Sequence, residues 1–413
     1  MRNRRLRSAG PAFAVLLLLL VAEACRETSP PPQEQERAAA PAAGPAAETQ
    51  RTVESQPLPP LQACGQAICQ AGGRRFRWRG VTAFALADLV ADGNMEGARA
   101  FVSWAERSGF TVLRVLAMNH GWMSLSPEEG RRALPRVFAL AREHGLYVQA
   151  VALAGTGLPQ FRSDQFLREQ VRAVARACAE AGNCVLEIAN EPYHSTQARL
   201  HEPDVMRRLQ QEVPADLLVA WGAAREDDSD VMSGGRYVVV HLGRSGNRWN
   251  RVARMRGLAS LSRAAGKPVI DNEPIGAAER EVRDRRDAVP AAFFAQGALS
   301  RMLEVGSTFH CEDCLLARVP GPTQQRAANA FIEGSRILPD ETIVTPVAPG
   351  AGGSAVASAD IDQARVFTAG AGTKAWVLVL GAEGETPIRW NTGWKPEGRR
   401  EPMPGVELWT AAR

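Results

Sequence analysis

Between residues 73 and 338, short apolar runs alternate with longer stretches in which apolar residues recur every three or four positions. Short runs bounded by Gly, Pro, Asn or Asp fit strands, and the longer periodic stretches fit amphipathic helices. Strands are predicted at 76–84, 111–116, 147–153, 185–189, 217–221, 237–242, 268–271 and 307–310. Helices are predicted at 95–108, 127–145, 163–181, 202–213, 251–266, 289–305 and 324–338, with no clear pattern in the crossover after the fifth strand. Ser126-Pro127-Glu128-Glu129 marks one helix start sharply, because it combines an N-cap serine, a proline at the first helical position and a glutamate three residues after the cap. Alternating strands and helices predict a parallel sheet, and eight such units predict an α/β chain folded as a (β/α)8 TIM barrel.

Beyond residue 338 the texture changes to Gly, Pro, Val and Thr, with alternating segments at 375–380 and 406–409. The expected organisation is therefore a barrel over 61–340 and a small β domain over 341–413 packed against it, since isolated small β units are marginally stable. At the amino end, Arg2, Arg4, Arg5 and Arg7 precede an apolar stretch at 13–22 that is too short to span a bilayer. Residues 1–24 read as an export signal ending in Ala22-Glu23-Ala24, and Cys25 directly after it resembles a bacterial lipoprotein lipidation site. Glu23 is unusual in such a signal, so ordinary secretion stands as the alternative. Residues 25–60 are dominated by Pro, Ala, Glu and Gln, too poor in apolar side chains to offset the entropy of ordering, and read as a tether. The expected location is the cell envelope, lipid-anchored to the outer or cytoplasmic membrane through Cys25.

With Cys25 lipidated, six of the seven cysteines remain, in three sequence-local pairs. An exported chain favours disulfides, and Cys64–Cys69 and Cys178–Cys184 would each close a short turn. Cys311-Glu312-Asp313-Cys314 has redox-motif spacing without a thioredoxin-like context, which favours a tight disulfide or two unpaired thiols. The net charge of +4 comes almost entirely from arginine. No basic block outside the signal points to nucleic acid, and Arg168, Arg172 and Arg176 read as a solvated helix face. The six histidines show no HxH or HExxH spacing, so neither a metal nor another cofactor is expected.

Candidate chemistry lies in two tripeptides, Asn190-Glu191-Pro192 after the fourth predicted strand and Asn272-Glu273-Pro274 after the seventh. Side chains at the carboxyl ends of barrel strands share one mouth, so two glutamates from different strands can face each other across a substrate. Glycosidic bond cleavage needs such a pair, one carboxyl to protonate the leaving oxygen and one carboxylate to attack. An Asn-Glu-Pro sequence can also simply mark where a strand stops. Two of them at strand ends favour the functional reading.

With these glutamates on strands four and seven, the chain resembles glycoside hydrolase clan A, most nearly the family 5 cellulase-like enzymes. The resemblance starts with Gly73-Arg74-Arg75-Phe76-Arg77-Trp78-Arg79-Gly80-Val81, which looks like the family's opening hairpin and first strand, and runs to about residue 338. It implies a retaining β-glycoside hydrolase acting on a polysaccharide or oligosaccharide, with Glu191 as general acid/base, Glu273 as nucleophile and about 5–5.5 Å between their carboxyls. It also implies that Arg114 keeps Glu273 ionised and that Asn190 binds the hydroxyl beside the scissile bond. The charge on Glu273 should in turn keep Glu191 protonated. His241 matches the family's sixth-strand histidine, but Gly243 stands where a tyrosine is usual, and Phe309-His310-Cys311 where the eighth strand usually brings a tryptophan. Asn119, His120, Trp122, Trp221 and Trp249 are available to line the groove, although a barrel tryptophan is also often core. The expected partner is a carbohydrate, and the chain is expected to act as a monomer. The rival reading is a non-catalytic glycan-binding surface lipoprotein on the same barrel.

Overall fold

The structure, a computed structural model, describes residues 57–413 except 121–122, 158–162, 226–232, 244–246, 274–288, 348–356, 360–364 and 383. Residues 1–24, Cys25 and nearly all of the 25–60 tether thus lie outside the described residues. Eight parallel strands close a barrel in chain order: β1 (Arg79–Thr82), β2 (Val112–Leu116), β3 (Tyr147–Leu153), β4 (Cys184–Ala189), β5 (Val219–Ala224), β6 (Val238–Val240), β7 (Val269–Asp271) and β8 (Gly306–Phe309). The ring shuts where Ser307, Thr308 and Phe309 of β8 pair with Arg79, Gly80 and Val81 of β1.

Successive residues of each strand face opposite sides, so one set points to the barrel axis and the other to the surrounding helices. Val112, Tyr147, Val185, Ala220, Val239 and Ile270 pack together with Trp78 as an apolar floor inside the barrel. The N-terminal hairpin, Leu61–Cys64 with Ala67–Gln70, adds Leu61 and Ile68 to that cluster, and the Cys64–Cys69 disulfide ties its two strands. Leu113, Val115, Val148, Ala150, Leu186 and Ile188 face the other way and join the main core with the helices.

Helices Met95–Ser108, Pro127–Glu143 and Val289–Leu303 start at the residues the sequence predicts. Ser126 caps the helix Pro127–Glu143 by accepting from the Glu129 amide, while Glu129 accepts from the Ser126 amide. Helices Val289–Leu303 and Pro322–Ser335 approach backbone to backbone, because a Cβ on Gly297 would lie 2.1 Å from the Phe331 carbonyl and one on Gly334 2.0 Å from that of Phe294. The expected helix at 251–266 is two, Arg248–Ala253 and Arg256–Ala265, the first capped earlier by the Asn247 side chain. The Cys178–Cys184 disulfide joins the end of helix Asp164–Ala181 to the start of β4. Arg168 and Arg172 on that helix both pair with Glu212, at 2.6 Å each.

After the barrel, a five-stranded antiparallel sheet runs in the order Thr345–Val347, Val366–Ala371, Lys374–Leu380, Val406–Ala412 and Lys395–Met403. One of its faces, with Phe367, Leu378, Leu380, Val406 and Leu408, joins the main core. The other, with Val366, Val377, Val379 and Ala411, forms a separate cluster with Trp394.

Candidate active site

Above the apolar floor the barrel axis becomes polar. Arg114 on β2 and Glu187 on β4 are each 0 % exposed, so their charges are compensated within the protein or not at all. Arg114 donates from Nε and Nη2 to the two oxygens of Glu187, at 3.0 and 2.8 Å. Its Nη2 also reaches Asn190 Oδ1 at 2.8 Å, and its Nη1 reaches Glu273 Oε1 at 3.0 Å. Glu187 Oε2 accepts further from Gln149 Nε2 at 3.0 Å and Asn272 Nδ2 at 3.4 Å. Burial works to lower the pKa of Arg114, but the adjacent carboxylates of Glu187 and Glu273 outweigh it and hold the guanidinium charged. Burial outweighs the attraction of Arg114 and leaves the Glu187 carboxyl raised, while the four N–H donors facing its oxygens work to keep it ionised.

Both tripeptide glutamates stand at the carboxyl ends of their strands, in the one barrel mouth. His241, just past β6, lies between them, with Nδ1 3.1 Å from Glu191 Oε1 and Nε2 3.8 Å from Glu273 Oε1. The Tyr193 hydroxyl donates to Glu191 Oε1 at 2.9 Å and stands 3.2 Å from His241 Nδ1, so it reaches the histidine from the β4 side. The guanidinium of Arg225, at the end of β5, covers the Tyr193 ring at 4.4 Å. The sequence pattern does not mark Tyr193 as a site residue. Its only signal there was its place two residues after a candidate acid.

Burial works to raise the Glu191 carboxyl. His241, by hydrogen bond and charge, and Tyr193 by hydrogen bond together outweigh burial and the repulsion of Glu273, and the pKa is lowered to about 2. The expectation that Glu273 keeps Glu191 protonated therefore does not hold for the free protein, because the donors nearest to Glu191 favour its anion.

The remaining predicted residues divide. Asn119 is buried in a short pairing in which Asn119 lies opposite Leu125 and His120 opposite Ser124, just beyond β2. Trp122 lies outside the described residues. Trp221 is not at a strand end: β5 runs on to Ala224, and the indole joins the outer core and donates to Gln210 of helix Pro203–Gln210. Trp249 is 8 % exposed, and its ring stands within about 3 Å of where a Cβ on Gly381 or Gly405 would lie, so it packs against the C-terminal sheet. These two tryptophans are corrections to the groove expectation. At β8, Phe309 packs among Phe293, Phe110 and Phe331, His310 Nδ1 is 3.0 Å from Thr82 Oγ1, and Cys311 is disulfide-bonded to Cys314. Among the described residues no group of three or more His, Cys, Asp or Glu is placed to hold a metal ion.

No protein-family model matches the sequence, and no curated protein matches it. Solved structures do. A structure described as a glycoside hydrolase superposes with a TM-score of 0.60 over 86 % of this chain and 97 % of its own, at 12 % identity. A glycoside hydrolase family 5 structure from Bacteroides vulgatus gives 0.58 over 86 % of this chain and 93 % of its own, also at 12 % identity. The fold is that of these glycoside hydrolases. A second, putative glycoside hydrolase from the same bacterium gives 0.58 at 11 % identity, covering 86 % of this chain and 82 % of its own. All three superpositions cover more of this chain than the barrel alone would supply.

Proposed function

We propose that the chain is a retaining β-glycoside hydrolase in which Glu273 is the nucleophile and Glu191 the general acid/base. The observation that carries this is His241, whose ring stands 3.1 Å from Glu191 and 3.8 Å from Glu273, so that two carboxyls from different strands share one mouth. The Arg114 guanidinium favours the ionised form of Glu273, which a nucleophile requires. Glu273 attacks the anomeric carbon as the glycosidic bond breaks, and Glu191 gives its proton to the departing oxygen. Glu191 then takes a proton from the water that releases the sugar from Glu273.

In the free protein Glu191 is ionised, so the acid step needs a proton placed on it. The acid step is reached once that carboxyl carries a proton, and the proton Glu191 takes from water in the second step replaces the one it gives to the leaving oxygen, with His241 Nδ1 held 3.1 Å from its Oε1 throughout. Asn190, fixed by Arg114, offers an amide to the hydroxyl beside the scissile bond.

Reducing-end release from a panel of β-glucans, mannans, xylans and galactans tests the reading. Hydrolysis lost in both E191Q and E273Q supports it. Binding without hydrolysis by the wild type would favour the non-catalytic glycan-binding reading. Lipidation of Cys25 and location at the cell envelope belong to the same proposal, and labelling with a fatty-acid analogue, lost in C25S, tests them.

A further inference from the structure

We propose that Glu187 is a positioning residue of this site: it occupies the Nε/Nη2 face of Arg114 and, with Asn190 on the second Nη2 proton, leaves that arginine one hydrogen bond for Glu273. The inference rests on Glu273 being the nucleophile.

A guanidinium prefers a carboxylate that it can meet with two parallel N–H bonds. Here that carboxylate is Glu187, which takes Nε and Nη2. What is left goes to the two tripeptides, Nη2 to Asn190 and Nη1 to Oε1 of Glu273. Without Glu187 the same fork could close on Glu273, whose oxygens would then be held in two charge-assisted bonds and be poorer nucleophiles. The negative charge of Glu187 also offsets part of the attraction of Arg114 for the Glu273 anion. Through Asn272, which bonds Glu187 Oε2, the same residue fixes the chain just before Glu273. One carboxylate thereby ties together β2, β3, β4 and the end of β7.

Among the described residues, the charged groups shown to act on Glu273 are Arg114 on β2, Glu187 and Glu191 on and after β4, and His241 after β6. Tyr237 lies behind Glu187, donating to the Leu186 carbonyl and accepting from Gln149. Of these, Glu187 shares Arg114 with Glu273 through direct ion pairs.

The test is the titration of Glu273 by carbon NMR in protein labelled at the glutamate carboxyls, its signal assigned by loss in E273Q. In E187Q the Glu273 midpoint should fall by roughly one unit, since a neighbouring negative charge is gone and Arg114 is released to it. With any glycan the wild type cleaves, kcat should fall about 100-fold, KM changing far less, as expected for a displaced reacting group. The control Y237F loosens the same network without touching Arg114, and should lower Tm but leave the Glu273 midpoint in place. An unchanged midpoint in E187Q, or an equal shift in Y237F, overturns the proposal. Should E187Q fail to fold, E187D decides, since it keeps the charge but cannot span both Nε and Nη2. Its kcat should fall about tenfold with a near-wild-type midpoint, and wild-type kcat would overturn the proposal. The titration needs no substrate, so a wild type that cleaves no glycan would count against the hydrolase reading and leave this result standing on its own.

Discussion

Tyr193 donates its hydroxyl to Oε1 of Glu191 at 2.9 Å, and the carboxyl it serves is drawn from the usual 4.5 to about 2. Burial opposes that shift, so the anion depends on its donors. In Y193F one donor is lost and the Glu191 carboxyl moves up. With Glu191 as the proposed acid, the basic limb of the kcat/KM profile should then move to higher pH. A Y193F limb at or below the wild-type position would show that the hydroxyl does not act on Glu191.

The same shift links to stability. A carboxyl whose folded pKa is depressed stabilises the fold above its unfolded value, and that stability is lost as pH falls through the folded value. The Glu191 contribution is therefore complete above about 4.5 and disappears towards 2. Acid unfolding followed by tryptophan fluorescence should show wild type and E191Q converging in stability across that window. A gap that widens there would contradict the assignment.

Arg114 is the cation between two buried carboxylates, and R114M would leave Glu187 and Glu273 without it. Removing one partner of a buried pair costs about 3–5 kcal/mol. Denaturant titration should show a loss of that size, with activity abolished. A loss below about 1 kcal/mol, the range of surface pairs, would mean the charges are solvated.

Trp249 gives the converse case. Its indole fills the space beside Gly381 and Gly405, so W249A should cost about 3–5 kcal/mol as an emptied core site. KM for any cleaved glycan should stay within a factor of two or so, since the ring is buried against Gly381 and Gly405. A large KM increase with unchanged stability would restore Trp249 to the substrate site.

These cases separate what the sequence could and could not tell. The eight strands were legible because a buried parallel strand is a continuous apolar run, and runs such as 147–153 survive any packing context. Strand ends were less so. Phe76 was expected in the first strand, but its amide bonds the Ile68 carbonyl and belongs to the opening hairpin, so β1 begins only at Arg79. Trp221 was misplaced for the same reason, since three more residues of β5 follow it. Arg114, Glu191 and Glu273 were legible because charge at or near a barrel strand's carboxyl end has few other uses. Glu187 also carries a signal: it shares the inward face with Val185, and a buried charge there must be paired. Tyr193 had no such signal, because its meeting with His241, 48 positions away, is made only when β4 and β6 close into one ring.

The Cys178–Cys184 disulfide closes a loop of six positions between helix and β4. Restricting so short a loop in the unfolded chain contributes about 2 kcal/mol. The double variant C178A/C184A should lose that amount and keep its pH profile, and a loss above about 4 kcal/mol would point to packing damage around both sulfurs.

The central claim is that Glu273 attacks the sugar and Glu191 supplies the proton. It is tested most directly by E273A with azide on a glycoside that the wild type cleaves. The variant should be inactive, and azide should restore turnover while yielding a glycosyl azide of inverted anomeric configuration, because a small anion takes the place of the missing carboxylate. Undiminished hydrolysis by E273A without azide would contradict the account.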